Sequence, residues 1–192
     1  GILPIKNLED EKIAYVNLGE HLTETSFLQQ LKKYTEIDHV QADNLGDLLE
    51  KLKDYDLVIL GYHKSNSSPW ASYHFSEKEL VWLHEIARTH QTILSVFARP
   101  YAILDIKSTT NIDGIVLGYQ NSEIAQQKTA QVIFGAIPAK GKLPVSLGQN
   151  FPVGTKFTTQ ELQRLSYGLP ESVGINSAKL YKIDSIAQLA VK

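Results

Sequence analysis

Two histidines, four serines and one tryptophan are concentrated in fifteen residues, GYHKSNSSPWASYHF (61–75). A few aimed polar groups beside an aromatic ring are what a ligand pocket offers, and the candidates here are Ser65, Asn66 and Trp70. The stretch contains no Asp or Glu, so it cannot supply a carboxylic acid to a reaction. The structural alternative, which we favour, is that Asn66 to Pro69 form turns and Trp70 packs on the domain's own surface.

No complete catalytic or metal-binding motif is found in the chain. Neither G-x-S-x-G nor S-x-x-K occurs, and there is no cysteine to act as a nucleophile or zinc ligand. The six histidines show no H-x-x-x-H or H-E-x-x-H spacing, so we interpret them as core or surface residues. No G-x-G-x-x-G follows the first apolar run, so a dinucleotide is not expected. The sequence therefore predicts no cofactor and no metal ion.

Paired carboxylates, which hydrolysis of a sugar bond would need, are not indicated either. Three acidic residues stand near the expected strand ends: Glu20, Asp43 and Glu123. Asp43 precedes a helix cap, and Glu123 falls in a first helical turn, where the helix dipole favours negative charge. Because structural roles account for these residues, we predict no catalytic residue in this chain.

Short apolar runs alternate with amphipathic segments along most of the chain, a pattern typical of βαβ units. Strands are predicted near 12–18, 38–42, 56–61, 91–97, 113–118 and 143–147. The last belongs at an edge, because Pro144 has no N–H to donate to a central ladder. Helix starts are marked by Asn44, Ser76 and Ser122, and Ser76 has the capping-box partner Glu79. We expect an α/β fold with a mostly parallel, five- to six-stranded sheet, helices on both faces, and 61–75 at its carboxyl edge.

The composition suits one globular core and argues against two classes of partner. With 192 residues, 43% of them apolar and 21% charged, the chain is long enough to bury a sizeable core. The net charge of −2 and the scattered Lys and Arg side chains argue against nucleic acid. Uncharged runs contain Pro or Gly or are shorter than the ~20 apolar residues that a membrane span needs. The chain contains no methionine, so we expect it to be part of a longer protein.

The C-terminal part has a different pattern. Residues 148–157 are rich in Gly and Pro and predict a connector. Thr158 and Glu161 have capping-box spacing, which predicts a helix at that point. A last amphipathic helix is predicted from Leu180, Ile183, Ile186 and Leu189. We expect this helix to be the first element of a further domain, because no strand follows it.

Three separated segments resemble the second domain of glycoside hydrolase family 3. ILPIKNLEDEKIAYVNLG (2–19) is similar to its linker and first strand, and FARPYAILDI (97–106) to the Pro-Tyr step after its fourth strand. AQVIFGAIPAKGKLPVSLGQNFPVGTKF (130–157) is similar to the end of that domain. The resemblance implies a six-stranded α/β sandwich over residues 1–157. YGLPESVGINSAKLYKIDSIAQLAV (167–191) resembles the opening of a class C β-lactamase-like domain, so 158–192 is predicted to be a linker and the first helix of that domain.

The family's roles for this domain follow from the resemblance. The nucleophile, an Asp, belongs to an N-terminal (β/α)₈ barrel, which lies outside this chain. β-Glucosidase-like members take their general acid, a Glu, from the loop that matches residues 61–75. The N-acetylglucosaminidase branch instead uses a His held by an Asp, both in the barrel. A loop without a carboxylate resembles the second branch, and the resemblance gives that role to neither His63 nor His74.

The resulting prediction is a structural or substrate-shaping domain of a bacterial β-N-acetylglucosaminidase-like glycoside hydrolase, inactive by itself. Its expected partners are the barrel and the β-lactamase-like domain of the same chain, and its expected location is periplasmic or envelope-associated. Ser65, Asn66 and Trp70 are the candidate contacts to a sugar. Two alternatives stay open: a free-standing module that binds a small molecule or sugar at the carboxyl edge, and an inert spacer between two enzyme domains.

Overall fold

The computed structural model describes residues 1–20, 24–68 and 70–190. One sheet contains β1 (Ile13–Gly19), β2 (Ile37–His39), β3 (Leu57–His63), β4 (Gln91–Phe97) and β5 (Gly114–Leu117). Every neighbouring pair is parallel, and the strand order is β2-β1-β3-β4-β5. The predicted α/β class with a mostly parallel sheet is confirmed.

The helices of the described ranges are α1 (Ser26–Leu31), α2 (Leu45–Leu52), α3 (Glu77–Thr89), α4 (Glu123–Ile133) and α5 (Ser177–Ala190), with 3₁₀ turns at Pro100–Asp105 and Pro170–Val173. The predicted caps are confirmed, since the side chains of Asn44, Ser76 and Ser122 each accept a hydrogen bond from the third backbone N–H after them. Ser76 and Glu79 form the reciprocal capping box. These caps fix where α2, α3 and α4 leave the carboxyl edge.

Helices cover both faces of the sheet, which explains the continuous apolar pattern of β3. On one face, Val58 belongs to a buried cluster with Leu48 of α2 and Leu83 of α3. On the other face, Ile59 lies in a cluster with Phe27 of α1, and α4 completes that layer. All of these side chains are fully buried. The core therefore lies in two layers, one on either side of the sheet.

The strand predicted at 143–147 is wrong. The backbone of Leu143 pairs with the loop that follows it, donating to Thr155 O and accepting from Gly154 N. Leu147 forms only an isolated antiparallel bridge with Phe151. These local bonds use the backbone groups that a sixth strand would offer to β5. The second strand is also shorter than predicted.

The helix predicted from Thr158 is wrong as well. No helix begins at Thr158. The next residue, Thr159, bonds elsewhere in the fold, because its Oγ1 accepts a hydrogen bond from Ala139 N at 2.8 Å. Leu162 N donates to Gly135 O at 2.6 Å, which draws the segment across the end of α4. Contacts with residues distant in the sequence therefore overrode a local helix signal.

An arginine joins this segment to the N-terminal part of the chain. The guanidinium of Arg164 donates to three backbone carbonyls, those of Ile5 (2.6 Å), Phe134 (2.7 Å) and Lys6 (2.8 Å). The backbone of Tyr167 exchanges two hydrogen bonds with the side chain of Gln131 in α4. Residues as far as Tyr167 are therefore bonded to the sandwich, while the division into units at residue 157 stays a prediction.

The last predicted helix is present as α5, and it buries none of its residues. Its apolar side chains at Ile183, Ile186 and Leu189 are exposed to solvent. Among the described residues, no helix combines the length and the apolar character that crossing a membrane requires.

We predict that Arg164→Ala lowers the free energy of unfolding by about 3 kcal/mol, because two partly buried carbonyls and one exposed carbonyl lose a charged donor. Denaturant unfolding of the purified chain measures the change. Arg88→Ala is the matched control: Arg88 forms an exposed i,i+3 pair with Glu85, and its loss should cost no more than about 0.5 kcal/mol. Equal effects of the two substitutions would contradict the assigned role of Arg164.

Candidate functional site

The carboxyl ends of β1 and β3 meet at the point where the chain changes direction across the sheet. From β1 the chain continues to β2 on one side of the sheet, and from β3 it continues to β4 on the other side. The loops after β1 and β3 therefore diverge and leave a crevice between them. Ligands of open α/β sheets bind in a crevice of this kind. Gly19 and His63 are the last pair of the ladder. Gly19 has φ +93°, and a Cβ there would lie 2.3 Å from His63 O. Only glycine permits this approach of the two strand ends.

The loop after β3 starts from a well-anchored position. Lys64 Nζ lies 3.1 Å from Glu79 Oε1, and both side chains are mostly buried. Ser65 N donates to Glu20 Oε1 at 2.6 Å, which links this loop to the loop after β1. Ser65 Oγ in turn bonds Ser67 Oγ at 2.8 Å. The start of the loop is therefore held by side chains from three elements.

The three candidate contact residues lie in this one loop at the carboxyl edge. Ser65 is half-buried and Asn66 is exposed. Trp70 is 93% exposed, so the expectation that it packs on the domain's own surface is wrong. A turn is present around it, because Ala71 N donates to Ser68 O, whereas Pro69 lies outside the described residues. Contact of these residues with a substrate stays a prediction.

His63 belongs to a buried hydrogen-bond network beneath the loop. The residue is 0% exposed, and its ring stacks on Phe97 with centroids 4.6 Å apart. Nδ1 lies 2.8 Å from Asn121 Oδ1, an atom that also accepts from Gln126 Nε2. Since an amide oxygen only accepts, Nδ1 of His63 carries the proton. Nε2 then accepts from Tyr15 Oη at 3.1 Å, so both ring nitrogens are satisfied.

Burial lowers the pKa of His63 to about 4, although the hydrogen bond to Asn121 and the charge of Glu20 both act to raise it. Burial likewise raises the pKa of Tyr15 well above its usual range. Both groups are therefore neutral at pH 7. His63 is therefore a structural core residue, which agrees with the expectation that the histidines of this chain are core or surface residues.

His74 is held quite differently, on the surface of the same edge. Its Nδ1 lies 3.0 Å from both carboxylate oxygens of Asp105, in the 3₁₀ turn after β4. Asp105 Oδ2 also accepts from Phe75 N at 3.0 Å. The His74 side chain is 58% exposed, and that of Asp105 is 22% exposed. The loops after β3 and β4 thus share an exposed His–Asp pair, which we call the dyad.

A polar cleft of about 560 Å³ lies beside the carboxyl end of β1, between α2 and α3. Its lining includes Asn17, Asp43, Asp47, Lys51, Glu79 and Trp82. A larger groove of about 920 Å³ runs along β5, and its lining includes no residue of the loops after β1 and β3. Because the smaller cleft lies at the crevice position expected of this sheet, it is the better candidate for a small ligand.

Two of the three carboxylates near the strand ends have structural partners. Glu20 accepts from Ser65 N, and Glu123 accepts from Gln127 Nε2 one turn along α4. Within the described ranges, no three or more His, Cys, Asp or Glu side chains are grouped so that they could hold a metal ion.

The dyad is the feature that the sequence pattern does not reveal. His74 precedes the predicted cap Ser76, so its place at the carboxyl edge could be predicted, but Asp105 is 31 residues away in the chain. His21 lies outside the described residues. The arrangement of His74 and Asp105 depends on the packing of the β4 turn against the β3 loop, which no local motif encodes.

Comparison with known protein families finds no match, and comparison with curated proteins finds none. Among solved structures, the chain is similar to a β-glucosidase from Paenibacillus barengoltzii, with a TM-score of 0.53 and 16% sequence identity. The match covers 76% of this chain and 22% of that β-glucosidase, so the chain spans under a quarter of its length. At this identity the likeness shows a shared fold.

We predict that the folded protein loses stability as the pH falls from 6.5 to 4, because the unfolded chain protonates His63 in that range and the folded protein does not. The contribution of His63 is fully present above pH 6.5 and falls by about 3 kcal/mol at pH 4. Urea unfolding at several pH values measures it. His63→Gln should be less stable than wild type at pH 7 and have a shallower pH dependence; an unchanged slope would show that His63 is not the group responsible.

Proposed function

We propose that this chain is the second domain of a bacterial glycoside hydrolase of family 3, where it supports the catalytic barrel and shapes one side of its sugar pocket. The observation that carries the proposal is the fold shared with a β-glucosidase over 76% of the chain. The three family-like segments support it further. Two of them flank the carboxyl edge of the sheet, at β1 and at the 3₁₀ turn after β4.

The β-N-acetylglucosaminidase-like branch is the form of the family that we propose. The loop after β3 has no carboxylate of its own, and the acidic groups that contact it are engaged in structure. Glu79 bonds Lys64 and Ser76, Glu20 accepts from Ser65 N, and Asp105 accepts from Phe75 N and faces His74 Nδ1. A domain that supplies no carboxylic acid suits a branch whose acid belongs to the barrel. Hydrolysis of aryl N-acetylglucosaminides by the full-length protein tests the assignment, and hydrolysis of aryl glucosides alone would contradict it.

The proposed partners are domains of the same polypeptide. The barrel would pack against the carboxyl edge, where Trp70 is 93% exposed. A β-lactamase-like domain would follow α5 and cover its exposed apolar side chains. We propose a periplasmic or envelope-associated location, which suits an enzyme acting on cell-wall sugars.

In the full-length enzyme, Trp70→Ala and Asn66→Ala should each raise KM about three- to tenfold with little change in kcat. Both side chains would contact the sugar equally in the bound and transition states, so their loss removes uniform binding of roughly 1 kcal/mol. Steady-state kinetics measures the effect. Arg88→Ala, at a 63% exposed position near the end of α3 and away from the carboxyl edge, is the control and should change neither constant. A fall in kcat alone would mean that the loop takes part in the chemistry.

The 192-residue chain by itself should hydrolyse neither aryl N-acetylglucosaminides nor β-lactams, since among the described residues no nucleophile is positioned beside a paired acid. Turnover above the buffer rate is measured with highly purified protein. Activity that disappears on substitution of a residue within 1–157 would overturn the prediction.

The cleft of about 560 Å³ favours a second candidate function, a module that binds a small molecule. Thermal shift with N-acetylglucosamine and muropeptide fragments separates the alternatives. Stabilisation that Asp43→Asn and Lys51→Ala abolish would assign the ligand to the cleft. The spacer alternative predicts two results together. None of these compounds stabilises the chain, and the full-length protein hydrolyses glycosides at a rate that substitutions in the loops of this domain do not change.

A further inference from the structure

We propose that a surface formed by the exposed His74, Arg99 and Tyr101 and the half-buried Tyr73 and Asp105 binds a saccharide. We call this set of residues the dyad surface. It combines the loops after β3 and β4 and is separate from the contacts proposed for Ser65, Asn66 and Trp70. The choice of a saccharide as the ligand rests on the proposed function, whereas the existence of an organised surface rests on the geometry.

The chain fixes His74 from both sides. Tyr62 Oη donates to Tyr73 O at 3.1 Å, and Phe75 stacks on Tyr62 with ring centroids 3.6 Å apart. Phe75 N donates to Asp105, the same residue that accepts from His74 Nδ1. The backbone on either side of His74 and one of its ring nitrogens are therefore held, so the imidazole is presented in one orientation.

An exposed histidine needs no aspartate for its own stability, because water satisfies its nitrogens and exposed ion pairs contribute little. Among the described residues, Nε2 of His74 has no hydrogen-bond partner, and 58% of the side chain is exposed. The arrangement thus leaves Nε2 available for a group outside this chain. Ordering a side chain before binding reduces the entropy that a ligand must otherwise overcome.

A tyrosine ring from each loop belongs to this surface, and that of Tyr73 lies against the histidine. The Tyr73 ring lies 4.3 Å from the His74 ring, tilted by 30°, and the Tyr101 ring lies 6.5 Å from that of Tyr73. Tyr101 is 40% exposed. The guanidinium of Arg99 lies 5.4 Å over the Tyr73 ring and adds a cationic group at the surface.

This combination matches the chemistry of a sugar. The C–H face of a pyranose packs on an aromatic ring, while its hydroxyls need polar groups at fixed positions around that ring. Tyr101 offers ring surface and a hydroxyl, and His74 offers a fixed nitrogen. A purely apolar ligand would gain nothing from the ordered His–Asp pair. The surface belongs to the carboxyl edge, so it would extend the pocket that the loop after β3 borders.

The test uses the 192-residue chain and NMR titration with N,N′-diacetylchitobiose, with cellobiose, and with the open-chain polyol mannitol as a ligand control. We expect the disaccharides to shift the resonances of Tyr73, His74 and Tyr101 with millimolar affinity, and mannitol to leave them unchanged. Tyr101→Ala and His74→Gln should weaken binding about tenfold, as expected for loss of one well-placed contact. Tyr101→Phe, which keeps the ring, should retain most of the affinity.

Asp105→Asn tests positioning, because it removes the charge and one of the two oxygens that face His74 Nδ1 without removing a ring. We expect a smaller loss of affinity, about threefold, at a melting temperature close to that of wild type. Tyr181→Ala and His84→Gln are matched controls outside the dyad surface and should bind as wild type does. If the dyad-surface variants weaken binding only where they also lower the melting temperature, these residues have a merely structural role and the proposal is overturned.

Other outcomes are equally decisive. The proposal is overturned if neither disaccharide changes the spectra, if mannitol shifts the same resonances to the same extent, or if Tyr101→Ala leaves the affinity unchanged. A full-length protein that hydrolyses no glycoside, alongside a chain whose dyad surface binds disaccharides, would contradict the proposed function and leave this inference standing. If the full-length protein hydrolyses glycosides but substitutions in the dyad surface leave the affinity for disaccharides unchanged, the inference is contradicted and the proposed function is not.

Discussion

The structure depends on the parallel pairing of β1 with β3 at the centre of the sheet. Seven consecutive residue pairs join these strands, from Ile13 with Leu57 to Gly19 with His63. At Gly61 the space is so limited that a Cβ would lie 2.6 Å from Tyr15 Oη and 2.8 Å from His63 Nε2. Glycine at this position therefore permits the Tyr15–His63 hydrogen bond, and Gly19 permits the strand ends to approach. Each side of the candidate site is built outward from this pair of strands.

The end of that pairing explains why the two histidines within residues 61–75 have opposite roles. His63 is still in the strand and points to the layer of α1 and α4, where Asn121 and Tyr15 satisfy it in the absence of water. His74 stands near the end of the loop, where the carboxyl edge is open and Asp105 faces its ring nitrogen Nδ1. Histidine thus has two roles here, which follow from its burial. The buried His63 stabilises the core, and the exposed His74 presents a polar group at the surface.

The sequence predicted the elements that depend on local signals. Strong apolar runs gave β1, β3 and β4, and the side chains of Asn44, Ser76 and Ser122 gave the helix starts. The strand at 143–147 and the helix from Thr158 were wrong because their backbone and side-chain groups bond to partners elsewhere in the fold. A local pattern states what a segment can form, whereas long-range bonds decide what it does form.

The site was predicted less completely than the fold, for a related reason. Position at the carboxyl edge follows from strand order, so the location of the loop after β3 could be inferred from the apolar run that precedes it. The exposure of Trp70 could not, because a large aromatic side chain usually gains by packing on its own domain. The dyad joins residues 31 positions apart, and the His63 network spans β1, β3 and the start of α4. Such contacts arise only once the sheet is assembled. The central pairing is therefore what allows an open edge to carry ordered side chains. The buried network fixes the strand ends, the strand ends fix the loops, and the loops hold His74 and Tyr101 at the exposed carboxyl edge.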